Sequence, residues 1–250
     1  MKWRIIDLET HDAFTNMAID EAICESVSAG GLPTIRFYRW DPSAVSIGCF
    51  QSLKDEVDLV ACKEAGVDVV RRRTGGGAVY HDFNGELTYS VIVSEKDMPL
   101  GITESYKEIC GWIIEGLAKL GILAEFKPIN DVVMTGSGQK ISGNAQTRRG
   151  GVILQHGTIL FEVDVRRMFS VLKVGADKIS DKMIAAVEER VTSLSRVKPG
   201  VRFEEVYEAV LEAFTAGKEA LRSGLTDAEK ARAADLVEER YKKGEWNESR

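Results

Sequence analysis

The apolar positions of the chain switch repeatedly between a period of two and a period of about 3.6, the spacings of a strand and of a helix with one buried face. "WRIIDLE" reads as a strand. "NMAIDEAICESVSAGG" reads as a helix, with Met17, Ile19, Ala22, Ile23 and Val27 at helical spacing and glycine at its end. "TIRFYRW" and "SAVSIGCF" are alternating, β-branched or aromatic runs on either side of the turn "DPS", a pattern that predicts a β-hairpin. "LKDEVDLVACKEAG" predicts one short helix closed by Gly66, and "VDVVRRRT" a strand that runs directly into three glycines.

Beyond the glycines, "ELTYSVIVS" is a strand, and "TESYKEICGWIIEGLAKLG" a helix with Tyr106, Ile109, Cys110, Ile113, Ile114 and Leu117 on one side. "DVVMT", "QKISGNAQTR" and "GVILQHGTILFEV" predict three more strands. From about Arg166 the pattern turns helical, and Thr226 and Glu229 stand in capping-box spacing within "TDAEKARAADLVEERYKKG". The fold class read from this order is α/β (or α+β), a sheet-rich body followed by a helical C-terminal quarter. With no linker and no internal repeat, the expectation is one domain over residues 1–250, its core about 1–195 and a helical extension about 196–250.

Composition narrows the function. A formal net charge of −6 does not suit a general nucleic-acid surface, so a basic cluster inside this chain points to one specific anion. No apolar run approaches the ~20 residues that span a bilayer. "MKWRIIDLETHD" lacks the apolar core and cleavage site of a signal peptide. Cys24, Cys49, Cys62 and Cys110 show no CxxC or metal-ligand spacing, and with only His11, His81 and His156 available a zinc site is not expected. The expectation is a cytoplasmic protein with reduced thiols and neither nucleic-acid nor membrane partners.

The basic cluster is "RRRTGGGAVYHD", residues 71–82. Glycines allow positive φ and close approach, so that successive N–H groups can converge on an anion. Strand alternation would turn Arg72 and Thr74 one way and Arg71 and Arg73 the other. An arginine beside such a loop can grip phosphate in a bidentate fork, whereas the alternative is a tight turn with solvated arginines. Neither the P-loop pattern nor the G-x-G-x-x-G fingerprint is present. "SGQKISGNAQ" sets Lys140 among small residues, as an ammonium aimed at developing charge or as a solvated lysine. "LQHGTILFEVD" carries His156, and "IND" brings Asp131 shortly before Lys140. In combination these stretches read as a site for a carboxylic acid and a nucleotide phosphate.

Their order and wording resemble the lipoate–protein ligase family. The matching pieces are "NMAIDEAI" (16–23), "RRRTGGGAVYHD" (71–82), "ND" (130–131), "GQKISGNAQ" (138–146) and "HGTIL" (156–160), spread over roughly residues 3–165. The resemblance implies a biotin/lipoate–protein ligase catalytic-domain fold, a central mixed β-sheet flanked by helices. It implies attack of the lipoate (or octanoate) carboxylate on the α-phosphate of ATP, with Mg2+, followed by transfer of the acyl group from AMP to a lysine. The acceptors would be lipoyl domains of 2-oxoacid dehydrogenase complexes or the glycine-cleavage H protein. Lys140 takes the catalytic role, bridging acyl and phosphate oxygens, and Arg72 contacts phosphate.

The same resemblance assigns Thr74, Gly75, Gly76, Gly77, Ala78 and Val79 to the ligand site. His81, Asp82, Asn130, Asp131, Gly143 and Ala145 join them, followed by His156, Gly157 and Thr158. Asp131 would share the magnesium. Two departures stand out. Gly85-Glu86 replaces the family's commoner Gly-Asn, and only a helical tail follows the catalytic part, so an accessory domain would reside on a separate small subunit. The rival of the same fold is an octanoyltransferase, which passes octanoyl from acyl carrier protein through a cysteine thioester. That chemistry needs a thiol near Lys140. One transferase branch has it three residues before His156, here Ile153, and another in the segment before Lys140, "EFKPINDVVMTGSGQ", which has no cysteine. Cys49 is the candidate left. A biotin ligase would interleave glycine with arginine, and a non-catalytic binding module would hold ligand without releasing pyrophosphate.

Overall fold

The computed structural model describes residues 1–173 and 180–249. In chain order the elements begin β1 (Lys2–His11), α1 (Ala13–Ser28), β2 (Thr34–Trp40), β3 (Ala44–Ile47), α2 (Leu53–Glu56), α3 (Leu59–Glu64) and β4 (Asp68–Arg71). They continue with β5 (Val79–His81), β6 (Glu86–Ser94), α4 (Ile102–Lys119), β7 (Ala124–Lys127), β8 (Asp131–Met134), β9 (Lys140–Arg149) and β10 (Val152–Leu160). The C-terminal part holds α5 (Val165–Val171), α6 (Asp181–Glu188), α7 (Leu194–Val197), α8 (Phe203–Thr215), β11 (Glu219–Arg222) and α9 (Asp227–Leu236). A π turn, Val237–Tyr241, leads to α10 (Gly244–Asn247).

An eight-stranded mixed sheet runs in the order β11-β1-β2-β6-β10-β9-β8-β7, and a small sheet in the order β4-β3-β5. The expected hairpin of β2 and β3 is therefore not formed. β2 pairs with β1 and β6, while β3 pairs with β4 and β5 in the other sheet. The single helix expected over "LKDEVDLVACKEAG" is two, because Asp58 caps a fresh start at α3.

Period two decides which side chains enter which core. Ile35 and Phe37 of β2, and Leu87, Tyr89, Val91 and Val93 of β6, pack with α4 and α8 on one face of the large sheet. On the other face α1 buries Met17, Ile19, Ala22 and Ile23 against Tyr38, Ile92 and Leu154, and α9 closes over α1. Residues 203–222, assigned to the extension by sequence, thus supply a core helix and an edge strand. The last helical stretch is also packed. Glu229, its capping-box carboxylate, is buried and receives both Arg4 Nη1 and Nη2, at 2.6 and 2.7 Å.

The small sheet carries the glycine loop, residues 74–78, between β4 and β5. Gly48, just after β3, lets it approach: a Cβ there would stand 2.2 Å from the carbonyl oxygen of Gly76. Gly76 itself has φ +96°, which favours glycine. Gly48→Ala is expected to shift the loop and destabilise the fold by about 1–3 kcal/mol, the cost of overpacking against backbone, measured by denaturant unfolding.

Burial alone would raise the pKa of Glu229, but the hydrogen bonds from Arg4 and the Thr226 amide outweigh it and set it at about 2. Its stabilising contribution is complete above the ordinary value of 4.5 and is lost as pH falls from there through about 2. Glu229→Ala, which leaves Arg4 buried without its partner, is expected to cost about 3 kcal/mol at neutral pH. Acid titrations of stability should show this component in the native chain and not in the variant.

Candidate active site

The floor of the site is the face of the large sheet that the first core does not use. On β6 this face carries Glu86, Thr88 and Ser90. Across the ladder, β2 sets Tyr38 opposite Thr88 and Arg36 opposite Ser90. β10 sets His156 opposite Ser90 and Thr158 opposite Thr88, and β9 sets Ala145 opposite His156 and Gly143 opposite Thr158. A polar ladder is thereby sealed under α1 and the small sheet. It opens into a cavity of about 340 Å³ whose apolar wall includes Met17, Trp40, Val79, Leu160, Met168 and Val191.

The three consecutive arginines point in three directions, and each is met by protein. Arg71 reaches the C-terminal helix: its Nε and Nη2 donate to the carbonyls of Trp246 and Asn247, and its Nη1 to those of Gly48 and Gln51. Its own backbone is held there too, with Asn247 Oδ1 accepting from Arg71 N and Trp246 Nε1 donating to Arg71 O. Arg73 pairs with Glu21 of α1 at 3.1 Å, and the same carboxylate takes Arg240 and the Tyr241 hydroxyl.

Arg72 is 5% exposed and makes five hydrogen bonds within the protein. Nη2 donates to the carbonyls of Gly75 and Gly77 at 2.8 and 2.7 Å, Nη1 to the carbonyl and hydroxyl of Ser46, and Nε to Thr74 Oγ1. The same side chain also lines the cavity. Burial brings the Arg72 pKa down to about 10, which leaves it charged at neutral pH. With the loop carbonyls turned inward to the guanidinium, no internal partner is found for the N–H groups of Gly76, Gly77 and Ala78 among the described residues. Amides without an internal acceptor are donors available to an anion.

Two hydrogen-bonded chains lead away from Arg72. Thr74 Oγ1 contacts His156 Nε2 at 2.7 Å, and His156 Nδ1 lies 3.3 Å from Asp20 Oδ2. Ser46 Oγ contacts His81 Nε2 at 2.8 Å, and His81 Nδ1 lies 2.6 Å from Glu86 Oε1. Trp40 stacks on His81, ring centroids 4.0 Å apart. Asp20 also takes Ser90 Oγ and Arg36 Nη1. Burial alone would raise its pKa, yet the hydrogen bond to His156 and the Arg36 charge hold it below the usual carboxylate range. Burial dominates at His156 and lowers its pKa, so that this imidazole is neutral at neutral pH.

Lys140 lies on the opposite wall. The β8–β9 pairing shifts register so that Val132 faces Ser142 and Val133 faces Lys140, which leaves Ile141 as an extra residue that enters the core. The bulge brings Lys140 onto the face of Gly143. There its Nζ would stand 2.8 Å from a Cβ, so any larger residue would displace the end of the lysine side chain. Residues 190–192 anchor the Lys140 backbone through Lys140 N to Arg190 O and Thr192 N to Lys140 O. Nζ lies 2.7 Å from Asp131 Oδ1, an ion pair without hydrogen-bond alignment. Asn130 and Asn144 exchange side-chain and carbonyl bonds, and Gly157 leaves room for Asn144, whose Oδ1 would stand 2.0 Å from a Cβ.

Every residue assigned to the site from sequence lines the cavity except Thr74, Gly75 and Asp131. Thr74 is buried behind Arg72, and Asp131 is occupied by Lys140. Among the described residues no three metal-ligating side chains cluster. Sequence reasoning missed Asp20, Ser46 and Glu86. The signal was a carboxylate or hydroxyl standing in an otherwise apolar run, which burial must then satisfy.

Comparison with known proteins bears on the family and the fold. The octanoyltransferase LipM of Brevibacillus brevis is 39% identical over 273 residues, covering 98% of both chains, and that of Staphylococcus aureus 36% over 271 residues, 98% and 97%. A bi-partite lipoate protein ligase from Thermoplasma acidophilum, solved with its E2 lipoyl domain, superposes with a TM-score of 0.90 at 34% identity over 99% of this chain and 96% of that one. A lipoate-protein ligase A bound with ATP gives 0.84 at 32%, covering 99% of each. The expected mixed sheet flanked by helices is the fold of these ligase structures. Residues 12–215 match the family described as the lipoyl protein ligase A/B catalytic domain, and the chain belongs to that family.

Proposed function

We propose that this chain activates a medium-chain carboxylic acid of the lipoate or octanoate class with ATP and passes the acyl group to a lysine of a lipoyl domain. The observation that carries this reading is a cavity with a cation, Lys140, and no thiol among the described residues of its lining. Three of the four cysteines are unsuited to attack. Burial pushes Cys62 up to about 11 and Cys110 up to about 12, and raises Cys24 further. A thiol so protonated at neutral pH is a poor nucleophile.

In the first step a carboxylate oxygen attacks the α-phosphorus, the bond to the β-phosphate oxygen breaks, and pyrophosphate leaves. Loop amides beside Gly76 and Gly77 receive phosphate oxygens, the apolar wall receives the acyl chain, and Lys140 exchanges Asp131 for the acyl and phosphate oxygens. In the second step the acceptor amine, having lost a proton, attacks the acyl carbon, and AMP leaves with the bonding pair. Lys140 faces the charge that develops in both steps. Two neighbours add support: a T. acidophilum lipoate protein ligase with bound lipoic acid, TM-score 0.82, and the ATP-bound ligase A. A separate accessory polypeptide is part of the reading, because the bi-partite ligase matches this chain almost end to end.

The second reading is octanoyl transfer through a thioester. The names of the curated relatives favour it: they are octanoyltransferases at 36–39% identity over nearly the whole chain. It would have to use Cys49, half-buried beside the glycine loop, whose N–H donates to the Thr74 carbonyl.

Lipoate- or octanoate-dependent ATP–pyrophosphate exchange decides between them, run with the chain alone and with an added accessory subunit. Exchange that survives Cys49→Ser and falls at least about 100-fold in Lys140→Ala is expected. No exchange under either condition, with octanoyl transfer from octanoyl-acyl carrier protein that Cys49→Ser abolishes, would establish the transferase instead.

A further inference from the structure

The acyl-phosphate reading leaves the two chains behind Arg72 without a purpose. Their hydrogen-bond direction can be worked out from the chemistry of the groups. A guanidinium only donates, so the Thr74 and Ser46 hydroxyls accept from Arg72. The proton of each has one acceptor among the described residues, an imidazole Nε2, which leaves Nδ1 of His156 to face Asp20 and Nδ1 of His81 to face Glu86 as donors. Each Nε2 is then an acceptor and takes the hydroxyl proton, from Thr74 in one chain and Ser46 in the other. Each hydroxyl oxygen is left to accept from Arg72, Thr74 from Nε at 3.1 Å and Ser46 from Nη1 at 3.1 Å. Both chains run the same way, guanidinium to hydroxyl to imidazole to carboxylate. They approach Arg72 from different sheets, Ser46 from β3 and His156 from β10.

All the members are buried: Thr74 is 0% exposed, Ser46 1%, Asp20 and Glu86 2%, His81 4% and His156 7%. Such a buried network is costly unless every member is satisfied, and then it fixes one arrangement. What it fixes is the guanidinium plane, whose remaining edge holds the carbonyls of Gly75 and Gly77.

We propose that Ser46–His81–Glu86 and Thr74–His156–Asp20 are paired positioning relays that lock Arg72, and that through Arg72 they set the glycine loop of the anion site. The guanidinium draws the loop carbonyls inward and so turns the amides outward, toward the ligand. The relays are positioning residues; neither imidazole has a ring nitrogen left for substrate.

The function of the relays in ligand binding rests on the acyl-adenylate reading, so two readouts are needed. The first is independent of activity: hydrogen exchange of the Arg72 side-chain N–H groups by nitrogen-15 NMR, assigned by their loss in Arg72→Lys. The native chain should show slow exchange, and Thr74→Val and Ser46→Ala, each checked for a cooperative thermal melt, should each speed it at least tenfold, about the effect of one lost hydrogen bond to a charged group. Unchanged exchange in both variants would overturn the lock.

The second readout is calorimetric affinity for octanoyl-sulfamoyl adenosine, a stable acyl-adenylate analogue. Thr74→Val and Ser46→Ala should each weaken binding about tenfold. Thr74→Ser, which restores the hydroxyl, should recover most of that loss. In an Arg72→Met background, or Arg72→Lys if the former does not melt cooperatively, the two changes should add less than about twofold, because they act through Arg72. Full, additive losses in that background would overturn the role of Arg72 as intermediary. A native chain that does not bind the analogue would count against the adenylate reading alone, with the exchange measurement still deciding the lock.

Discussion

A buried guanidinium that must find five acceptors is the constraint around which this site is arranged. Removing Arg72 from water costs several kcal/mol unless its donors are met. The acceptors that meet them come from β3, from the residue after the arginines and from two loop glycines. The glycine loop therefore owes its shape to a cation beneath it as much as to the freedom of its own backbone. Arg71 and Arg73 extend the same logic outward, one to the C-terminal helix and one to Glu21, so the strand entering the loop is held along its whole end.

Local pattern made most of the fold legible, and long-range pairing set the limit. Strict alternation in "ELTYSVIVS" and in "VILQHGTIL" identifies strands and, taken as register, separates the polar floor from the core. A chain that crosses between two sheets at "DPS" has the same local signature as a hairpin, because partner choice is decided by strands far away in sequence. β7 and β11 escaped notice for another reason. "AEFK" and "EALR" are short edge strands with little to bury, and β11 is exposed throughout. The site residues emerged because their motifs are contiguous. The orientation of Arg72 did not, since Ser46 lies 26 residues away and nothing near Arg72 in sequence announces it.

Ligation and thioester transfer ask the same scaffold for different carriers of an activated acyl group. A mixed acyl–phosphate anhydride needs cations and amides at one end of an apolar cavity, and a thioester needs a thiolate there. Lys140 over Gly143 and the loop amides that have no internal acceptor among the described residues suit the first demand. The apolar wall suits either, which is how one fold can serve both chemistries.

The grip of the C-terminal helix on Arg71 sets an order of events during synthesis. Arg71 lacks its Trp246 and Asn247 partners until translation has run past Asn247, some 175 residues after the arginine itself emerges. Until then β4 keeps an unmatched edge and the glycine loop one loose end. The nascent chain can thus build its sheet early while the ligand site stays unfinished, and the short helix Gly244–Asn247, made after the sheet strands, is the one that completes it.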